Sequence, residues 1–222
     1  MKDIFLVRHG RQCSTRCNVD VSLDHIGRRQ TALAAERLCW YGVEKLYTSG
    51  LKRAVETAGI IGEKIGHPPV VIEEFREIDF GILTGREDTE VRTEYADFQK
   101  ERAEQTSDLR YPGGENGADV VARVMPQVEQ ICRAPEQRVV VVTHGGVIRA
   151  LCAHLLQTDL KHKLKFAIDL ENTSITQICY DETAGRFFLE RFNDFAHLEQ
   201  EPELLRKSWN ISWLRMQERN GE

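Results

Sequence analysis

Two short apolar runs constrain this chain more than any other feature: residues 4–7 (Ile-Phe-Leu-Val) and 139–142 (four consecutive valines). Each is followed, after one residue, by a histidine and a glycine, His9-Gly10 and His144-Gly145. Runs this short and apolar at every position suit strands buried on both faces, as in a parallel sheet covered by helices. Between them the apolar spacing becomes helical. Asp24 caps a helix to about residue 40 with Ile26, Leu33 and Leu38 as its expected buried positions and Gly42 closing it. Leu51, Val55, Ala58, Ile61 and Ile65 mark a second helix ending at Gly66. Val121, Val124, Val128 and Ile131 mark a third, kinked at Pro126, and residues 147–157 a fourth. Further strands are expected at 43–48 and 70–72, with an antiparallel hairpin at 174–180 and 187–192 closing the sheet. The fold class is therefore α/β, a three-layer α/β/α sandwich with a mostly parallel mixed sheet. Ligands bind such sheets beyond the carboxyl ends of the strands, where both His-Gly pairs fall.

At 222 residues one domain over 1–222 is expected, with two appendages. Residues 86–115 are highly charged, lack a strong apolar face over most of their length, and read as a lid-like excursion. The polar tail at 199–222 carries Trp209, Trp213 and Met216 at helical spacing and is expected to pack on the body as a helix. The chain is 41% hydrophobic with no apolar run of about 18 residues, which excludes disorder and a membrane-spanning helix. Lys plus Arg total 30 against 35 Asp plus Glu, so no global positive field recruits nucleic acid or an anionic membrane. An anion site must be built locally. The first ten residues lack the pattern of a signal peptide, and the six cysteines are scattered, so a cytoplasmic protein with reduced thiols is expected.

The chemistry lies at the strand ends. Arg8 beside His9 offers a planar, permanently charged fork for phosphate oxygens, and Arg53 opens the second helix. Glycine lets an anion approach the backbone, and helix N-termini favour negative charge. Together these predict a phosphoryl pocket of cations and backbone amides. Singly the signals are weak: Arg8-His9 alone would read as a surface pair and Arg53 as a solvated helix residue. Cys132 followed by Arg138 has the spacing of a thiol-phosphatase loop, but a helix precedes it, a strand follows it, and the loop has no glycine. No Gly-x-x-x-x-Gly-Lys-Ser/Thr phosphate loop occurs, and the remaining histidines lack metal-ligand spacing.

With Leu6-Val7-Arg8-His9-Gly10 paired with Val142-Thr143-His144-Gly145-Gly146-Val147-Ile148-Arg149, the sequence resembles the histidine phosphatase superfamily, in its phosphoglycerate mutase-like branch. Weaker matches are Ser49-Gly50-Leu51-Lys52-Arg53-Ala54, Phe75 to Gly81 with Glu77, and Pro112-Gly113-Gly114-Glu115-Asn116. The resemblance implies that His9 attacks phosphorus and forms a phosphohistidine, while Arg8, Arg53 and His144 stabilise the phosphoryl charge. Gly10 and Gly145 would line the phosphate site, and Glu77 would serve as acid and then base. It implies no metal and no cofactor. The family's phosphate-lining Asn stands six residues after its histidine, where this chain has Thr15; Asn18 takes the role if the loop holds three more residues. The expected function is hydrolysis of a small phosphorylated metabolite, with phosphoglycerate mutase-type transfer and a non-catalytic phospho-ligand binder as alternatives.

Overall fold

The computed structural model describes residues 1–206; the expected helix around Trp209, Trp213 and Met216 lies outside the described residues. Six strands form one sheet in the order β3-β2-β4-β1-β5-β6. β1 (Lys2–Arg8), β2 (Lys45–Thr48), β3 (Val70–Val71) and β4 (Arg138–Thr143) pair in parallel. β5 (Ile175–Asp181) runs antiparallel to β1, and β6 (Arg186–Asp194) antiparallel to β5. The mostly parallel mixed sheet and its closing hairpin are as expected.

The uninterrupted apolar runs follow from burial on both faces. Ile4, Leu6, Val139 and Val141 face one core with α5 (Gly117–Arg133) and α6 (Gly145–Leu155). Phe5, Val7, Val140 and Val142 face the other, with α1 (His25–Cys39) and α2 (Lys52–Ile65). Strand side chains alternate between faces, so a polar residue anywhere in either run would enter a core. Lys2, wholly buried at the start of β1, donates to the carbonyls of Ile131 and Ala134, placing its charge at the carboxyl end of α5.

The helix faces need correction. Ile26 and Leu33 are half-buried under the 198–205 segment, where Leu198, Leu204 and Leu205 form a third small core. Val55 is exposed. Small residues carry the close packing instead: Thr31, Ala34 and Ala35 of α1, and Ala54, Thr57, Ala58 and Gly62 of α2. Asp24 does cap α1, accepting from the Gly27 amide at 2.7 Å, and Pro126 sits within α5. The charged excursion is helical, as α3 (Asp88–Glu94) and α4 (Ala96–Glu104). It reaches the body through Tyr111, whose ring packs on Phe80 and Phe98. No helix among the described residues is long and apolar enough to cross a membrane.

Candidate active site

β1 and β4 are neighbours in register, with Arg8 opposite Thr143, so the residues that follow them, His9 and His144, emerge side by side. The His9 amide donates to the Thr143 carbonyl at 3.0 Å, and the two imidazoles lie 5.0 Å apart between centroids. Beyond these strand ends opens a cleft of about 970 Å³ whose lining includes Arg8, His9, Asn18, Arg53, Glu77 and Asn172.

His9 is 4% exposed and held in one orientation. Its Nδ1 lies 2.7 Å from the carbonyl of Gly10, which can only accept, so Nδ1 carries the proton. Nε2 therefore holds a lone pair, toward which Arg53 Nε donates at 3.3 Å. Burial, then Arg8 and Arg53, push the His9 pKa well below the ordinary histidine value. The imidazole is neutral at neutral pH.

Arg53, also nearly fully buried, reaches from the first turn of α2. Its Nη1 donates to the Val19 carbonyl at 2.9 Å and its Nη2 to Asn18 Oδ1 at 2.8 Å. Asn18, with φ of 47°, thus joins the site through Arg53, whereas Thr15 is exposed and bonds Glu87. Arg11, in the lining of the cleft, is paired with Asp24.

Arg8 bonds the Leu170 carbonyl through Nη1, while its Nε is buried without a partner. Burial, reinforced by Arg206 and opposed by Glu77, pushes its pKa down to about 9. His144 has one partner: Nε2 lies 2.7 Å from the hydroxyl of buried Ser49, and Nδ1 is buried and unpartnered. Burial, then His9, Arg53 and Arg8, lower its pKa as well. Arg8 Nε and His144 Nδ1 are thus buried polar atoms without partners among the described residues, and a stranded buried polar group costs about 1–3 kcal/mol.

Glu77 stands on the loop after the short turn Glu73–Phe75. Its Oε1 accepts from the amides of Ile78 at 2.9 Å and Gly146 at 3.0 Å. The loop is clamped from behind. Arg123 forks onto Glu115 with two bonds of 2.9 Å and donates to the Glu74 and Glu77 carbonyls. Burial alone would raise the Glu115 carboxyl, but Arg123 and the Asp79 amide hold it below its usual range. Gly81, at φ of +54°, seals the loop against the 112–114 turn, where any Cβ would meet the Pro112 carbonyl at 2.1 Å.

Of the predicted glycines, Gly145 opens α6 beside the site. Gly10 is brought elsewhere: its amide donates to Thr57 at 3.0 Å, and its missing Cβ makes room for the Gly27 carbonyl. Sequence reasoning gave no role to Ser49 or Asn172, although both stand in segments that resemble the family, and missed Arg206. Asn172 donates to the His9 carbonyl at 2.9 Å, and Arg206 lines the cleft. Ser49 was legible only as part of the Ser-Gly-Leu-Lys-Arg segment, and Arg206 carries no local signal.

A family model of the histidine phosphatase superfamily (branch 1) matches residues 4–194. The chain is 28% identical over 208 residues to the probable phosphoglycerate mutase GpmB of Yersinia enterocolitica, spanning 90% of this chain and 96% of that one. A solved complex of mycobacterial glucosyl-3-phosphoglycerate phosphatase with VO3 is similar at TM-score 0.80 and 29% identity, covering 87% of this chain and 100% of that one. Bacillus stearothermophilus YhfR is similar at TM-score 0.80 and 29% identity, covering 90% and 100% respectively. With paired strand-end histidines, two flanking arginines and a sheet shared with these neighbours, the chain belongs to the histidine phosphatase superfamily, branch 1.

Proposed function

We propose that this protein is a metal-independent phosphatase that hydrolyses a small phosphomonoester through a phosphohistidine on His9. The observation that carries it is the neutral His9, whose unprotonated Nε2 accepts at 3.3 Å from Arg53 Nε, in a cleft that the unpartnered Arg8 Nε shares. Nε2 attacks phosphorus, the P–N bond forms, and the ester P–O bond breaks. Glu77 gives its proton to the departing alkoxide. A water then attacks the phosphohistidine, Glu77 takes a proton from that water, and inorganic phosphate leaves with neutral His9 restored. Arg8, Arg53 and His144 hold the phosphoryl oxygens, supplying in place the positive charge the transition state needs. Asn18 orients Arg53, and the amino end of α6 at Gly145 adds its dipole.

Phosphoglycerate mutase-type transfer remains the second reading, favoured by the names of the curated relatives. Hydrolysis is preferred because the mouth is lined by exposed Cys13, Thr15, Arg16 and His25, which leaves the intermediate within reach of water. The test is release of inorganic phosphate from a panel of phosphomonoesters in EDTA, comparing wild type with His9→Ala. Chelator-resistant turnover is expected to fall by about a thousandfold or more in the variant. Turnover that survives in His9→Ala overturns the mechanism. Conversion of 3-phosphoglycerate to its isomer without free phosphate moves the reading to the mutase, and ester binding without turnover or acid-labile phosphorylation moves it to a binder.

A further inference from the structure

The two edges of the sheet are not alike. β3 is two residues long and follows Pro68 and Pro69, which have no backbone N–H, so another strand gains little by adding there. β6 is nine residues long, contains no proline and ends the sheet on the other side. Among the described residues no backbone–backbone hydrogen bond joins β6 to any segment but β5. A bare edge of this length presents a row of donors and acceptors to a further strand.

From Arg186 to Leu189 the strand pairs regularly with β5, and a bulge at Glu190 follows. Phe187 and Leu189 are half-buried against the core beneath α5 and α6, while Arg186, Phe188 and Glu190 are exposed. Arg191 is taken up by the Tyr41 hydroxyl at 2.6 Å and by Asp194. Arg186 and Glu190, two residues to either side of Phe188, have no ion pair among the described residues. Apolar surface continues beside the strand on its half-buried face. Leu189 and Phe192 line a groove of about 540 Å³ together with Phe166 and Ile168, and Phe187 lines another of about 490 Å³ with Met125 and Tyr180. Ile168, 97% exposed in the first groove, follows Ala167 at φ of 64°, a conformation alanine rarely adopts. Arg149 fixes that loop by donating to the carbonyls of residues 166–168 at 3.0–3.2 Å, so the isoleucine is held out in solvent by design of the backbone.

We propose that β6 pairs antiparallel with β6 of a second copy of this chain, about a two-fold axis through Phe188, so that two sheets become one. The residues fix the register. In a two-fold antiparallel pair, positions equally far from the axis face each other, one from each copy. An axis at Phe188 therefore sets Arg186 of each copy opposite Glu190 of the other, and Phe187 opposite Leu189. Both unpaired charges are then matched, Phe188 meets its counterpart, and the Phe187 cavity of one copy adjoins the Leu189 groove of the other. An axis at Leu189 would set Phe188 against Glu190, and an axis at Glu190 would set that carboxylate against itself. A second copy suits this edge better than an unrelated strand because residues 186–190, Arg-Phe-Phe-Leu-Glu, are complementary in charge to their own reverse. No residue of β6 lines the cleft at His9, so the proposal is independent of the phosphatase reading.

The test is sedimentation velocity on the full chain over a range of concentrations. The wild type is expected to be dimeric at about 100 μM. Arg186→Glu and Glu190→Arg each turn both attractive pairs into repulsive ones, so each variant alone should raise the dimer Kd by about a hundredfold. Mixed in equal amounts the two variants match again, because one carries acid at both positions and the other carries base, and the dimer should return as a heterodimer. Arg92→Glu, a reversal at an exposed position of α3, should leave the Kd alone. A wild type that stays monomeric at that concentration overturns the proposal. So does a dimer that neither reversal weakens, since its interface lies elsewhere, and so does a weakening that mixing fails to relieve, since Arg186 and Glu190 are then not opposite one another. Recovery on mixing also shows that each variant is folded.

Discussion

At the scale of single residues, the site works by holding each histidine ring through one nitrogen. For His9 the Gly10 carbonyl makes the choice, because it can only accept; His144 is held at Nε2 by the Ser49 hydroxyl, which orients the ring. Ser49 touches no substrate in this scheme and acts through His144. Ser49→Ala is therefore expected to lower kcat by roughly 10- to 100-fold while KM changes less, since the imidazole then loses the bond that orients its ring. Steady-state kinetics on the best ester of the panel measures this, and an unchanged kcat would show that Ser49 only fills space.

At the scale of elements, the acid loop is positioned by α6. The Gly146 amide holds Glu77, and a Cβ at residue 146 would come within 2.5 Å of Glu77 Oε1 and 2.6 Å of Ile78 Cγ2. Alanine is the better helix former by about 1 kcal/mol, so propensity alone predicts that Gly146→Ala stabilises the protein. Overpacking costs about 1–3 kcal/mol and should win here, because the backbone of α6 is pinned between β4 and the core. The expected outcome is a lower melting temperature together with a fall in kcat, as Glu77 is displaced. A more stable variant with full activity would show that the loop yields without cost and that the Gly146 contact does not position the acid.

At the scale of the whole molecule, buried neutral histidines tie stability to pH. Burial pushes His197 down to about 4 from the usual 6.5, while His9 and His144 are lowered for the same first reason. Between those two values the unfolded chain binds protons that the native protein does not, so stability is complete above about pH 6.5 and is lost as pH falls toward 4. His197 alone contributes roughly 2 kcal/mol of this loss between pH 7 and pH 5. His197→Gln, which can keep the bond to Thr173, should flatten the dependence of urea-unfolding free energy over that range; an identical slope would place the titration elsewhere.

Much of this was written locally in the chain, and the rest was not, for a physical reason. Alternation and helical periodicity are short-range consequences of backbone geometry, so the buried strands, most helices and the two His-Gly turns could be read from residues near one another. Even there, Ile26, Leu33 and Val55 misled, because α1 and α2 pack through small side chains that carry little apolar signal. The order β3-β2-β4-β1-β5-β6 depends on pairings between distant segments, and that order alone sets His9 beside His144. Arg53 and Glu77 could be nominated by motif, but their bonds to His9 and to the Gly146 amide exist only once the layers close. The bare edge of β6 is the extreme case: Arg186, Phe188 and Glu190 lie within one short stretch of chain, yet only the strand order leaves them with no strand beside them. Sequence alone determined the strand-end chemistry, because strand, turn and helix are adjacent in the chain; tertiary structure decided which charges meet, because electrostatic and packing contacts depend on distance in space.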